Sequence, residues 1–286
     1  LVDDGSTDSS GEICDQYAQE DERIKVLHID NGGQSRARNI GVQASSSDWI
    51  MFLDSDDYYD LKAVEYLVAL RYKYAVDLVV TSIVEVRNYQ TELNTEDISL
   101  ENSEKLDRYT GLVRMFYGNS VGTHPGGKLY KKEILLQYPY PEGMIYEDLA
   151  MAYEHIHYCA EIAVGYRSVY KYYRRMGSTV NSKYSERLLN FYKAIEWNRS
   201  YIERDYPNDK EMRRALNVRY VFNGLHVVHA MLSSGMYSDV NKIRKEYIRY
   251  FNDIIPNPNI TGKNKVKYLL LLLSPRLYST VRNKIG

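Results

Sequence analysis

A short apolar run that ends in carboxylates occurs twice near the start of this chain, and it constrains the fold more than any other feature. Leu1-Val2 leads into Asp3-Asp4-Gly5-Ser6-Thr7-Asp8, and Trp49-Ile50-Met51-Phe52-Leu53 leads into Asp54-Ser55-Asp56-Asp57. Each reads as a β-strand releasing acids at its carboxyl end, where open α/β sheets bind ligands. Between them, Asp8 or Ser9 can cap a helix through about Asp21, and Ile24–Ile29 reads as a strand. Asn31-Gly32-Gly33 then turns the chain, and Ser35 is placed to cap a helix to about Ala44. A helix over 61–74 follows, with Val64, Leu67, Val68 and Leu70 as its apolar face, and Leu78–Val84 is a further strand. Strand, helix, strand in alternation predicts an α/β fold of doubly wound type.

The polar stretch 88–107 reads as an excursion from the core, and Gly122–Lys128 as a flexible stretch opening into Leu129-Tyr130. Beyond about Ser182 the pattern becomes long helices, roughly 183–204, 208–234 and 238–252, broken near Pro207, Gly235 and Pro256. The expected division is therefore an α/β domain over 1–180 and a helical region over 181–286.

Charge is unevenly distributed although the net is only −1. Residues 1–60 hold 14 acids against 4 Lys/Arg, and residues 240–286 hold 10 Lys/Arg against 2 acids, so the start suits a cation and the end an anionic surface. Two cysteines, Cys14 and Cys159, are too few for a disulfide framework or a zinc site, which points to a reducing, cytoplasmic setting. The longest aliphatic run, Leu269–Leu273, is far short of the ~20 apolar residues of a membrane span. Nucleic acid is not among the expected partners. Twenty-nine Tyr against 5 Phe favours surfaces that use a ring and a hydroxyl together, although many tyrosine-rich proteins share that bias.

Asp54 and Asp56 lie two apart, which on an extended segment puts both carboxylates on one face. Mg²⁺ or Mn²⁺ takes such oxygen ligands together with substrate phosphates; the competing reading is a loop that caps the next helix. The first loop can accept from hydroxyl or base N–H groups, or serve as a calcium loop, although it lacks EF-hand spacing. Arg36 and Arg38 stand at a helix start, where guanidinium and backbone N–H groups can meet phosphate, or simply face solvent. Glu147-Asp148 offers a general base, or alternatively complements the dipole of the helix it begins. Tyr172 to Thr179 reads as a basic, Gly-containing turn that suits a diphosphate, or whose two adjacent arginines simply face solvent.

Taken in order, these residues resemble the inverting, nucleotide-sugar-dependent glycosyltransferases of family 2, with the GT-A fold. The resemblance covers about residues 1–180 and rests on Val2–Asp8, Asn31-Gly32-Gly33 through Ala37–Gly41, Phe52–Asp57, Lys128-Leu129-Tyr130, and Gly143 through Glu147-Asp148. It implies a mixed sheet flanked by helices and a donor, UDP-linked by expectation, passing its sugar to a glycan or lipid-linked acceptor in cell-surface polysaccharide synthesis. By the same resemblance Asp4 contacts the nucleotide base, Asp3 supports its loop, and Arg38 and Lys128 belong to the donor site. Asp56 is then the direct ligand of Mg²⁺ or Mn²⁺, with Asp54 nearer the ribose or donor sugar. Asp148 is the expected base, with Glu147 the other candidate, and Arg175 and Ser178 match an Arg-x-x-Ser turn that closes over the diphosphate. Relatives open with a strand and helix ahead of the first acidic loop, so such a segment is expected upstream of Leu1.

Two other readings fit parts of the pattern: a metal-dependent nucleotidyltransferase, which would also want paired acids and a phosphate-binding Arg, and a non-catalytic nucleotide- or glycan-binding relative. At the basic end, Lys263-Asn264-Lys265-Val266-Lys267, Tyr268–Leu273 and Arg276 alternate cations with an apolar face. That suits peripheral contact with the inner face of an anionic membrane, or a helix packed back on the α/β domain with its lysines outward.

Overall fold

A computed structural model describes residues 1–87, 98–174 and 184–285. Its contacts divide the chain into two compact units, Leu1–Gly111 with Val121–Tyr173, and Leu112–Ser120 with Arg174–Gly286.

The first unit opens with β1 (Val2–Asp3), α1 (Ser10–Glu20) and β2 (Leu27–His28), and β1 and β2 pair in parallel as a small sheet of their own. Next come α2 (Gln34–Ala44), β3 (Trp49–Ile50), β4 (Tyr58–Tyr59), α3 (Ala63–Tyr74), β5 (Leu78–Val86), β6 (Ser103–Asp107) and α4 (Arg108–Tyr117). The carboxyl half of α4 belongs to the second unit. After it follow β7 (Lys128–Lys131), α5 (Lys132–Gln137), α6 (Glu147–Tyr158) and β8 (Glu161–Tyr173). The main sheet runs β3-β7-β5-β8-β4, with β6 also on β8. Among the described strands of this sheet only β5 and β8 pair in parallel; β3–β7, β7–β5, β8–β4 and β6–β8 are antiparallel.

This is the mixed sheet flanked by helices, yet the route to it departs from a simple doubly wound alternation. The strand at Trp49 pairs with β7, far downstream in the sequence, and not with β1 or β2. Strand pairing in β3 also stops at Ile50; Phe52 contributes a single bridge to Gly126. Part of the polar excursion, Ser103–Asp107, is a strand, because Leu106 is buried where β6 crosses β8. Helix α3 buries Ala63, Tyr66, Leu67 and Leu70 against Val79, Leu129 and Ala163, whereas Val64, expected on the inner face, is exposed.

The second unit is helical. It comprises α7 (Asn190–Asp205), α8 (Lys210–Ser233), α9 (Tyr237–Tyr247), α10 (Phe251–Ile254), α11 (Gly262–Leu273) and α12 (Pro275–Ile285). Asp209 caps α8 by accepting from the Met212 N–H at 2.7 Å, and Thr261 caps α11. No helix among the described residues is long and apolar enough to cross a membrane.

Candidate functional site

The two acidic loops differ in how their carboxylates are engaged. Asp3 accepts from the Ser6 N–H and pairs with His28, whose other ring nitrogen meets Asp15; the Ser6 bonds and then His28 hold the Asp3 carboxyl at about 2. Asp4 accepts from the backbone N–H groups of Gly32 (2.8 Å) and Gly33 (2.7 Å), and Asn31 donates to the Asp4 carbonyl. Gly33 has a φ of 87°, a left-handed conformation favouring glycine, and α2 starts directly after it. Asp4 and the start of α2 are thus one hydrogen-bonded corner. Ser35, expected as the cap, is buried instead; Gly33 occupies the capping position.

The second acidic loop is a turn. The Asp57 N–H donates to the Asp54 carbonyl at 3.0 Å, so residues three apart approach each other and the alternation expected for an extended strand does not apply. Asp57 is buried, and both its oxygens are held by β8: the Tyr170 hydroxyl donates at 2.6 Å and the Tyr173 N–H at 2.8 Å. Burial pushes the Asp57 carboxyl up despite these bonds. Asp56 is half-buried on the same turn. The Asp54 N–H also donates to Tyr170, so one tyrosine hydroxyl ties both ends of the turn.

Arg38 joins the two halves of the site. Its guanidinium donates to Asp54 at 2.8 Å and to Glu147 at 2.7 Å, and its side chain is only 9% exposed. Next to it on α2, Asn39 exchanges two hydrogen bonds with the backbone of Tyr140, fixing the segment that leads into α6. Burial alone would raise the Asp54 carboxyl, but the hydrogen bond from His124 and the charge of Arg38 outweigh it and hold it at about 2. Glu147 moves the other way, raised first by burial and then by the charge of Asp148. Asp148, half-buried in the first turn of α6, accepts from the Thr123 hydroxyl at 3.0 Å.

Thr123 and His124 sit on the stretch ahead of β7. Lys128, 4% exposed, donates to the Thr123 carbonyl at 3.2 Å. The Gly126 N–H donates to His124 Nδ1 at 2.9 Å, which leaves the imidazole proton on Nε2, facing Asp54 at 3.6 Å. Asp54, Asp57 and His124 present ligand atoms within 4.8 Å of one another. Oxygen-rich with one imidazole, the set suits Mg²⁺ or Mn²⁺. Within it, however, His124 is arranged as a hydrogen-bond donor, so the oxygens are the ligand atoms on offer.

Asp3 and Asp4 on one side, and Asp54, Asp56, Arg38, Glu147, Asp148 and Lys128 on the other, are all placed by the first unit. Arg175 and Ser178 lie outside the described residues. Sequence reading missed Thr123, His124, Asp57 as an anchor, and Tyr170. The Gly126-Gly127 pair was the available signal: a Cβ at Gly126 would lie 2.3 Å from the Tyr170 ring, which marks a close backbone approach.

A mixed sheet flanked by helices, with acids gathered on the loops that leave its strands, is a GT-A-like core. Residues 1–138, just under half of the chain, match the family described as Glycosyl transferase family 2. Among curated relatives, the glycosyltransferase GlyG of Streptococcus pneumoniae serotype 4 is 28% identical over 211 residues, covering 71% of this chain and 66% of GlyG. The minor teichoic acid biosynthesis protein GgaA of Bacillus subtilis is 26% identical over 225 residues, 77% of this chain and 45% of GgaA. The chain thus spans just under two thirds of GlyG and less than half of GgaA. A Staphylococcus aureus TarS fragment crystallised with UDP-GlcNAc superposes with a TM-score of 0.64 at 18% identity, over 97% of this chain and 78% of that one. The mannosyltransferase PcManGT of Pyrobaculum calidifontis, in complex with GDP-Man and Mn²⁺, gives a TM-score of 0.52 at 11% identity, over 98% and 76%.

Proposed function

We propose that the chain transfers a sugar from a nucleoside diphosphate, UDP, to a hydroxyl of a cell-surface glycan or lipid-linked acceptor, with inversion at the anomeric carbon. The observation that carries this reading is the Arg38 guanidinium, which holds Asp54 of the donor loop and Glu147 of the second acidic pair in one buried group. Through it the loop suited to a diphosphate and metal is joined to the helix that begins with Asp148. The TarS structure with UDP-GlcNAc supports UDP as the nucleotide, and the name of GgaA, a teichoic acid biosynthesis protein, supports the acceptor class.

In this reading Asp148 takes the proton of the acceptor hydroxyl as it attacks the anomeric carbon. Asp148 suits the task better than Glu147 because it is half-buried, whereas Glu147 is buried and bound to Arg38. Thr123 orients the Asp148 carboxylate. Asp4 keeps spare lone pairs on both oxygens for a base N–H, while its bonds to Gly32 and Gly33 fix where they point. Asp54 and Asp56, both partly exposed on the turn, would hold Mg²⁺ or Mn²⁺, whereas Asp57 is buried against β8. Bound there, the cation supplies charge neutralisation for the departing diphosphate.

Thermal-shift measurements with UDP, UTP and Mn²⁺ test the donor site. Saturating UDP at about 100 times its Kd stabilises by roughly 2.7 kcal/mol, a shift of a few degrees. Stabilisation by UDP that needs Mn²⁺, and that UTP does not match, supports the reading; no response to any diphosphate refutes it. Asp148→Asn should retain the UDP response and lose transfer by about 100-fold or more. An active Asn variant would remove Asp148 as the base.

A further inference from the structure

Helix α11 carries five consecutive leucines, Leu269 to Leu273, and no helix can bury such a run on one side. Tyr268 and Leu271 face inward and are fully buried, and the Tyr268 hydroxyl donates to the Tyr247 carbonyl of α9 at 2.7 Å. Across the helix, Val266 is 56% exposed, Leu269 38% and Leu273 71%. Their spacing of three and seven residues draws one apolar stripe along the outer side. By the same helical geometry Lys263 and Lys267 border the stripe on one flank and Lys265 on the other, with Lys263 and Lys267 exposed. Leu277, also exposed, and Arg276 continue this composition at the start of α12.

Charge identifies the occupant. Residues 254–286 contain six Lys/Arg and no Asp or Glu, so a second copy of the same face would meet like charge. Long lysine side chains beside an apolar stripe are suited to an interface where leucines enter an apolar layer and ammonium groups reach outward to phosphates.

We infer that the outer face of α11 and the start of α12 lies on an anionic lipid surface, with Val266, Leu269 and Leu273 at the acyl boundary and Lys263, Lys265 and Lys267 on the headgroups. This is independent of the assignment of Asp148 and of the donor.

The test is co-sedimentation of the whole chain with phosphatidylcholine vesicles, with and without phosphatidylglycerol. Binding is expected to the phosphatidylglycerol vesicles at low salt and to be lost in high salt. Lys263→Gln/Lys267→Gln should lower the vesicle-bound fraction constant roughly tenfold or more, at about 1 kcal/mol per lysine near the surface. Leu269→Ser/Leu273→Ser should weaken binding comparably with only a small fall in melting temperature, since Leu273 is largely exposed and Leu269 partly so. Absence of binding to phosphatidylglycerol vesicles at low salt overturns the inference. So does equal binding by either double variant, or a leucine variant that changes the oligomeric state while vesicle binding stays the same.

Discussion

Replacing Arg38 by Met would separate the structural role of this residue from any role in binding, because the consequence is fixed by two carboxylates that remain. Arg38 and Glu147 each have side chains 9% exposed, and Asp54 is 22% exposed. Removing one partner of a buried ion group leaves charge without compensation and costs about 3–5 kcal/mol. We expect Arg38→Met to lose about 3 kcal/mol at pH 8. The loss should shrink on acidification. Glu147 already has a raised pKa; without Arg38 it rises further, so the penalty is present above that pKa and relieved as pH falls through it. Asp54 behaves oppositely in the parent chain: its carboxyl, lowered to about 2, contributes stability present above its unfolded value and lost as pH falls through 2. Urea unfolding at pH 8 and pH 5 measures the difference. Trp49 and Trp197 lie in different units, so Trp49 fluorescence in a Trp197→Phe background reports the unit that holds the site. A loss below about 1 kcal/mol, or one equal at both pH values, would refute the bridging role. Adding Glu147→Gln to Arg38→Met should recover part of the loss.

Two further substitutions probe the same site. Gly126→Ala would place a methyl 2.3 Å from the Tyr170 ring, and the expected cost is about 1–3 kcal/mol together with a diminished Mn²⁺-dependent UDP shift, both visible in melting curves. Thr123→Val keeps the shape and removes the hydrogen bond to Asp148; kcat should fall about tenfold with donor KM little changed, and Thr123→Ser should restore it. A KM effect in place of the kcat effect, or no rescue by Ser, would count against Thr123 as a positioning residue.

Much of this architecture is legible in the sequence because it depends on local patterning. The acid-terminated apolar runs, the helix of residues 63–74 and the change to helices late in the chain all follow from periodicity and punctuation. The partners of each acid are less legible. Asp54 and Asp56 would share a face only on extended backbone, and the hydrogen bond from the Asp57 N–H to the Asp54 carbonyl closes that segment into a turn. Thr123 and His124 reach the acids only because β7 pairs with β3 and Gly126 bridges Phe52, contacts between residues about 74 to 82 positions apart. Val64 falls outside the core because the buried face of the helix runs through Ala63, Tyr66, Leu67 and Leu70, which turns Val64 to the other side. Non-local contacts of this kind leave only indirect traces, such as the Gly126-Gly127 pair.

Thr123 and His124 are consecutive residues, one bonded to Asp148 and the other facing Asp54. A shared peptide bond links the settings of the two carboxylates, so a backbone adjustment that improves one disturbs its neighbour. Libraries randomised at these positions should therefore yield strongly epistatic variants, in which a change in donor preference and a change in turnover arrive together and compensating substitutions cluster in the same six-residue loop from Gly122 to Gly127.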